Sequence, residues 1–367
     1  MNILFACGGT AGHINPALSL ARLFRQRDPE GRILFVGAEG GMETRLVPKE
    51  GFELRTVTIS SFYRSLSPSA LCHNLRTMGN LRRSRRQMAG ILDHFPADLA
   101  VGTGGYASYP AVREAARRGI PTAVHESNAL PGLTTRALSK VTDRVLVSFE
   151  SSRDYYKKPE KVVVTGTPVR GDFFHYTRQQ ARRELGLDDE RPLLVSFFGS
   201  LGAERMNGYM AQFFRLEEQA GFPFHHIHGA GRNYEAMAAE CPQNPSLDLR
   251  EYIYDMPLVC AAADLVICRA GASTVAEMAA IAKPAIFIPS PNVTADHQTK
   301  NAQALASQGG AVLLPEGECS GQRLYDEAAA LLSSPQRRQT ISDALTAMAT
   351  PNAAEEIYRV LMSLIRE

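Results

Sequence analysis

Residues 1–25 read MNILFACGGTAGHINPALSLARLFR. An apolar run, Ile3–Cys7, stops at Gly8-Gly9-Thr10-Ala11-Gly12-His13, and a helical pattern follows over Asn15–Arg25 with Pro16 near its start. A continuous rather than alternating apolar run belongs to a strand buried on both faces, as in a parallel sheet covered by helices. Strand, glycine turn and helix together open a doubly wound α/β domain. The glycines let the backbone turn sharply and approach a ligand closely. The helix start behind them offers free N–H groups to an anion or a polar oxygen. No Gly-Lys-Ser/Thr follows, so this is not a Walker loop, and the spacing is not the regular Gly-x-Gly-x-x-Gly fingerprint. A plain tight turn with His13 as a local hydrogen-bonder remains open.

The same layout repeats along the chain. Ile33–Val36, Leu54–Ile59, Leu99–Gly102, Thr122–His125 and Val145–Phe149 read as further strands, with helices at Ala111–Arg118 and Gly132–Lys140. After Pro159 a second series begins with Val162–Thr165, Leu193–Phe198, His225–His228, Leu265–Cys268, Ala285–Ile288 and Ala311–Leu314. Its helices are expected at Glu204–Glu217, Thr274–Ala282 and Asp296–Ser307. The fold class is therefore α/β, with two Rossmann-like parallel-sheet domains. Thr165-Gly166-Thr167-Pro168 reads as the hinge. The divisions expected are 1–163, 164–349 and a terminal helical segment, 350–367.

Composition agrees with this architecture. The chain has 367 residues, 44% hydrophobic and 21% charged, with a net charge of +2. That excludes a disordered chain, and the near-neutral balance argues against a nucleic-acid binder. A length above about 250–300 residues favours two cores over one. No uncharged apolar run reaches the roughly 18 residues of a membrane span. The N-terminus lacks a leading positive cluster, so no signal peptide is expected. Cys7, Cys72, Cys241, Cys260, Cys268 and Cys319 are scattered without a Cys-x-x-Cys pair or a Cys/His cluster, which points to a reduced chain with no bound metal.

Polar residues gather where strands end. Gly102-Thr103-Gly104-Gly105-Tyr106 precedes Tyr109-Pro110, and His125-Glu126-Ser127-Asn128 precedes Pro131-Gly132-Leu133. In the second half, Phe198-Gly199-Ser200-Leu201-Gly202-Ala203 and Arg269-Ala270-Gly271-Ala272-Ser273-Thr274 each join a strand to a helix. Such turns suit a diphosphate. Glu277, about one helical turn after Ser273, has the chemistry to accept two hydrogen bonds from a ribose diol, or is simply a solvated acid favoured by the helix dipole. Asp296-His297-Gln298, with Asn301, either reads sugar hydroxyls or caps a helix.

The ordered set GGTAGH, VGTGGYASYP, HESNALPGLT, VTGTPVR, GSLGAERMN, CRAGASTVAE and TADHQTKNA resembles the MurG family of peptidoglycan N-acetylglucosaminyltransferases, over essentially the whole chain. The resemblance implies a GT-B fold, two domains facing a cleft, and transfer of N-acetylglucosamine from UDP-N-acetylglucosamine to the C4 hydroxyl of the muramyl sugar of lipid I, with inversion, forming lipid II. UDP-N-acetylglucosamine is the substrate and no cofactor is implied. Donor binding is implied for Thr10, Gly12, Asn128, Arg170, Ser200, Ile253 (through its main chain), Ala272, Ser273, Thr274, Glu277, His297 and Gln298. Gly104, Gly105 and Tyr106 match the acceptor side. His13 is the expected general base, because an imidazole titrates near neutral pH, with Glu126 as its competitor. Phe198 and Leu201 stand where the family usually has Gly and Gln, Thr167 where it has Asn, and Ala11 where Gly is frequent.

A lipid-linked acceptor calls for a membrane surface. Between Ser60 and Phe95 six arginines (Arg64, Arg76, Arg82, Arg83, Arg85, Arg86) interleave with Phe62, Tyr63, Leu66, Leu71, Leu75, Met78 and Leu81, against one acid, Asp93. A basic apolar segment of this kind rests on anionic lipid, or is an ordinary solvated helix face. The resemblance adds peripheral attachment at the cytoplasmic face of the cell membrane and cell-wall assembly proteins as further partners. Competing readings are a UDP-N-acetylglucosamine 2-epimerase, a glycolipid glycosyltransferase, and a non-catalytic nucleotide-sugar sensor.

Overall fold

A computed structural model describes residues 1–60, 67–199 and 203–366, apart from the side chains of residues 68, 70, 72, 75, 76, 294 and 366. The chain divides into two compact units, Met1–Val169 with Thr350–Glu367, and Arg170–Ala349.

The first unit holds a seven-stranded sheet of order β3-β2-β1-β4-β5-β6-β7. Its strands are β1 (Asn2–Ala6), β2 (Arg32–Ala38), β3 (Glu53–Val57), β4 (Leu99–Gly102), β5 (Thr122–Glu126), β6 (Arg144–Val147) and β7 (Val162–Val164). Every pairing is parallel. Alternate side chains of β1 enter opposite cores, which explains its unbroken apolar run. Ile3 and Phe5 pack with Phe24, Phe35 and Leu361 on one face, while Leu4 and Ala6 pack with Met88, Leu92 and Ala111 on the other. The terminal helix, Ala353–Arg366, lays Ile357, Leu361 and Leu364 into the first of these cores, and Tyr358 meets Phe24 at 4.8 Å between ring centroids.

Three sequence readings change. The first helix spans Ala11–Arg27 rather than starting at Asn15, so His13 lies in its first turn. Pro16 falls inside it and withdraws one helical N–H. The run Val162–Val164 pairs with β6 and belongs to the first sheet, so a division after residue 163 would cut a strand; the first unit continues to Val169. Buried His125 secures this crossing segment, with its Nε2 2.9 Å from the Gly166 carbonyl oxygen. Desolvation holds the His125 imidazole below its ordinary pKa, so it is a neutral donor there.

The second unit holds a six-stranded sheet of order β10-β9-β8-β11-β12-β13, also parallel. Its strands are β8 (Leu193–Phe197), β9 (His225–Gly229), β10 (Leu247–Arg250), β11 (Leu265–Cys268), β12 (Ala285–Phe287) and β13 (Val312–Leu313). In each sheet the strand order reverses at one place, between β1 and β4 and between β8 and β11. Open α/β sheets bind ligands at the carboxyl ends of the strands beside that reversal. No helix among the described residues is long and apolar enough to cross a membrane.

Candidate functional site

In the first unit the turns after β1 and β4 interlock. A Cβ on Gly105 would stand 2.2 Å from the Gly8 carbonyl oxygen, and one on Gly104 would stand 2.5 Å from His13 Cδ2. Both glycines also have positive φ, 80° at Gly105 and 108° at Gly104, so bulk and backbone conformation each require glycine there. His13 Nδ1 lies 3.0 Å from the Gly8 carbonyl oxygen and 3.4 Å from Thr10 Oγ1. Thr103 Oγ1 donates to the His13 carbonyl at 2.7 Å. Thr10, Gly12, His13, Gly104, Gly105 and exposed Tyr106 are thus gathered at one strand reversal.

Glu126 is a different case. Its Oε1 accepts from the Asn128 backbone N–H at 3.0 Å and from Asn128 Nδ2 at 2.9 Å, and its Oε2 accepts from the Gly132 N–H at 2.9 Å. A buried carboxylate engaged at both oxygens shapes the 127–132 loop and the start of the Leu133–Leu138 helix. In Glu126→Gln the amide keeps one acceptor, leaving a buried N–H facing an NH2 group. Thermal unfolding is expected to show a loss of about 1–3 kcal/mol; unchanged stability would contradict the loop-holding role.

In the second unit the turn after β11 leads directly into the Ala272–Ala280 helix, whose N-cap, Gly271, supplies no side-chain cap. Ser273 Oγ is buried without a hydrogen-bond partner among the described residues. Glu277 lies four residues on, over the same face. Burial pushes its carboxyl up to about 7, Arg170 pulls it back and Asp172 adds to the rise. Its carboxylate has no hydrogen-bond partner among the described residues, and the residue is half-buried, leaving an acceptor open to a ligand hydroxyl. Arg170 itself is 3.5 Å from Asp172.

The other donor-side positions of this unit follow β10 and β12. Ile253 is buried, with exposed Tyr252 and Tyr254 on either side. Gln298 Oε1 accepts from the Ser290 N–H at 2.9 Å, and its amide nitrogen has no partner among the described residues. His297 begins the His297–Ala306 helix. Asp296 stands at its N-cap position with φ 52°, but its side chain makes no capping bond among the described residues; its carboxylate accepts from Thr299 Oγ1 at 2.6 Å. Ser200, with Leu201 and Gly202, lies outside the described residues. Phe198 is buried, its ring centroid 6.1 Å from that of His228 and 5.8 Å from the Arg269 guanidinium, so this large side chain is packed between the two.

Two pairs of residues were not singled out from sequence. Arg269 forms a 2.6 Å ion pair with buried Glu316 and donates to the Ile288 carbonyl at 3.1 Å, tying the β11 turn to the β12 turn. Glu43 and Gly9 meet across the β1 turn, with the Gly9 N–H donating to Glu43 Oε2 at 3.2 Å. Of the proposed membrane segment, Arg64, Phe62, Tyr63 and Leu66 lie outside the described residues, as do the side chains of Leu75 and Arg76. Arg82, Arg83, Arg85, Arg86, Leu71 and Met78 are exposed on the Pro68–His94 helix, while Ser84, Met88 and Leu92 face inward.

Residues 3–147 match the glycosyltransferase family 28 N-terminal domain, and residues 193–357 match the family 28 C-terminal domain. The UDP-N-acetylglucosamine–N-acetylmuramyl-(pentapeptide) pyrophosphoryl-undecaprenol N-acetylglucosamine transferase of Acetivibrio thermocellus is 39% identical over 369 residues, covering 100% of this chain and 99% of that protein. The enzyme of the same name from Thermoanaerobacter sp. is 39% identical over 370 residues, covering 99% and 100%. The crystal structure of Acinetobacter baumannii MurG superposes with a TM-score of 0.78 at 26% identity, covering 99% of each chain. The chain belongs to glycosyltransferase family 28, with the GT-B fold, and within it to the family of UDP-N-acetylglucosamine–N-acetylmuramyl-(pentapeptide) pyrophosphoryl-undecaprenol N-acetylglucosamine transferases.

Proposed function

We propose that this protein transfers N-acetylglucosamine from UDP-N-acetylglucosamine to the C4 hydroxyl of the muramyl sugar of lipid I, with inversion at the anomeric carbon, giving lipid II and UDP. The observation that carries this is the half-buried Glu277 carboxylate, without a hydrogen-bond partner among the described residues, one turn beyond the buried Ser273 hydroxyl at an uncapped helix start. Those are the groups a ribose diol and a diphosphate require. The full-length relatives carry the name of this reaction.

In the proposed mechanism Glu277 accepts from the two ribose hydroxyls. The Ala272-Ser273-Thr274 helix start and Ser200 hold the diphosphate, the Ile253 main chain reads uracil, and His297, Gln298 and Asn128 read the sugar. His13 Nε2 takes the proton from the acceptor hydroxyl as its oxygen bonds to the anomeric carbon. The bond to the UDP oxygen breaks with its electron pair, and the charge on departing UDP is met by the helix start and Arg170. One in-line displacement of this kind inverts the anomeric centre, as in inverting glycosidases with a sugar hydroxyl replacing water. NMR of the product is expected to show a β-linked N-acetylglucosamine; an α-linkage would contradict the single displacement.

The acceptor's lipid brings the reaction to a bilayer surface. Exposed Arg82, Arg83, Arg85 and Arg86, with exposed Leu71 and Met78 on the same helix, form the proposed contact with the anionic inner leaflet. Each cation near such a surface contributes about 1 kcal/mol. Reversing the four arginines to glutamate is therefore expected to cut recovery on anionic vesicles, measured by flotation, on the order of 100-fold or more. Equal recovery of variant and wild type would remove this surface from the proposal.

A further inference from the structure

Glu43 belongs to none of the motifs that carry the family resemblance, yet it is completely buried at the β1 turn. Its Oε1 accepts from the Ala38 N–H at 2.7 Å and its Oε2 from the Gly9 N–H at 3.2 Å. Three glycines make room for it: a Cβ on Gly8, Gly37 or Gly41 would stand 2.4, 2.3 or 2.4 Å from its side-chain atoms. No cation pairs with it among the described residues. Burying a carboxylate against neutral N–H groups alone is costly, so the arrangement calls for a return elsewhere in the molecule.

That return lies at the other end of one peptide group. The N–H that Glu43 receives is the Gly9 end of the Gly8–Gly9 peptide, and the carbonyl end of the same peptide, Gly8 O, is 3.0 Å from His13 Nδ1. The peptide is trans, so its N–H and C=O point in opposite directions, one toward the carboxylate and the other toward the imidazole. We infer that Glu43 is the positioning residue of His13, acting through the Gly8–Gly9 peptide as a carboxylate–peptide–imidazole relay.

Negative charge beside the N–H polarises the amide and strengthens its carbonyl as an acceptor. The stronger acceptor holds the imidazole proton on Nδ1 and keeps the Nε2 lone pair for the acceptor hydroxyl, because the partner of one ring nitrogen decides the state of the other. The same bond then supports the imidazolium formed when His13 takes a proton. Thr10 Oγ1 contacts Nδ1 at the longer distance of 3.4 Å. The missing Cβ of Gly104, which would stand 2.9 Å from Nε2, leaves that edge of the ring unobstructed. The relay rests on the proposed role of His13, but its structural content is testable without turnover.

The test is 15N NMR of histidine-labelled protein, with the His13 resonances assigned by their loss in His13→Gln. In the neutral wild-type protein His13 is expected as the Nδ1–H tautomer. Glu43→Gln keeps the volume but presents an acceptor to only one of the two N–H groups. It is expected to shift His13 toward the Nε2–H tautomer and to lower kcat about 10- to 100-fold, with the donor KM within about twofold of wild type. Glu43→Asp retains the charge and is expected to restore part of the Nδ1–H population. An Nε2–H tautomer in the wild type would overturn the relay, and so would an unchanged tautomer and kcat in Glu43→Gln. The wild-type spectrum decides even where a variant fails to fold. A tautomer shift in a protein that transfers no sugar would uphold the relay and refute the proposed reaction.

Discussion

His13→Ala is expected to lower kcat by about 10²–10⁴-fold, the usual contribution of a positioned general base, while UDP-N-acetylglucosamine affinity stays at the wild-type level. The asymmetry has a physical origin. His13 sits in the first turn of the Ala11–Arg27 helix, and its Nδ1 is engaged by the Gly8 carbonyl. Its Nε2 is then the only ring nitrogen left to receive a proton. Removing the ring removes the proton acceptor, whereas the ribose and diphosphate contacts proposed for Glu277, Ser273 and Thr274 are left intact. Steady-state kinetics with a lipid I analogue, beside calorimetric donor binding, separates the two effects. Turnover close to wild type would show that His13 is not the base, and a large loss of donor affinity would show that the site is wrongly divided.

Glu277→Ala is expected to act in the opposite way, raising the donor KM roughly 100-fold through loss of two charge-assisted hydrogen bonds worth about 3 kcal/mol together. The carboxyl, pushed up to about 7 by burial, must ionise to accept from the ribose diol. Donor affinity is therefore expected to weaken as pH falls below about 7, and binding at neutral pH should release protons. Calorimetry in buffers of different ionisation enthalpy measures that release. The free chain shows the reverse dependence. A carboxyl at about 7 in the folded state and 4.5 in the unfolded state contributes stability that is fully present below 4.5 and is lost as pH rises through about 7. Glu277→Gln is accordingly expected to stabilise the ligand-free protein by about 1–3 kcal/mol at pH 8 while impairing donor binding. A variant less stable than wild type at pH 8, with donor affinity intact, would refute both halves.

Much of this was legible in the residues because parallel strands buried on both faces announce themselves as short apolar runs. Leu99–Gly102 and Leu265–Cys268 have the bounds expected from sequence. The edge strand Leu247–Arg250 was missed because Leu-Asp-Leu-Arg alternates and only Leu247 is buried. The start of the first helix was hidden by the glycine and histidine that give its first turn a chemical role. Glu277 was legible through its spacing from Ser273, but the charges that act on its carboxyl, Arg170 and Asp172, come from about a hundred residues earlier. Glu43 was invisible for a deeper reason. Its partners are backbone N–H groups of Gly9 and Ala38, which any sequence supplies, and only the fold brings them together.

The transfer reaction itself is the most direct measurement: radiolabelled UDP-N-acetylglucosamine and lipid I, incubated with the wild-type protein in the presence of a metal chelator. Label moving into the lipid phase, with one UDP released per sugar, is the expected result. Label that stays on the nucleotide, whether merely bound or epimerised at C2, would contradict the proposed glycosyl transfer.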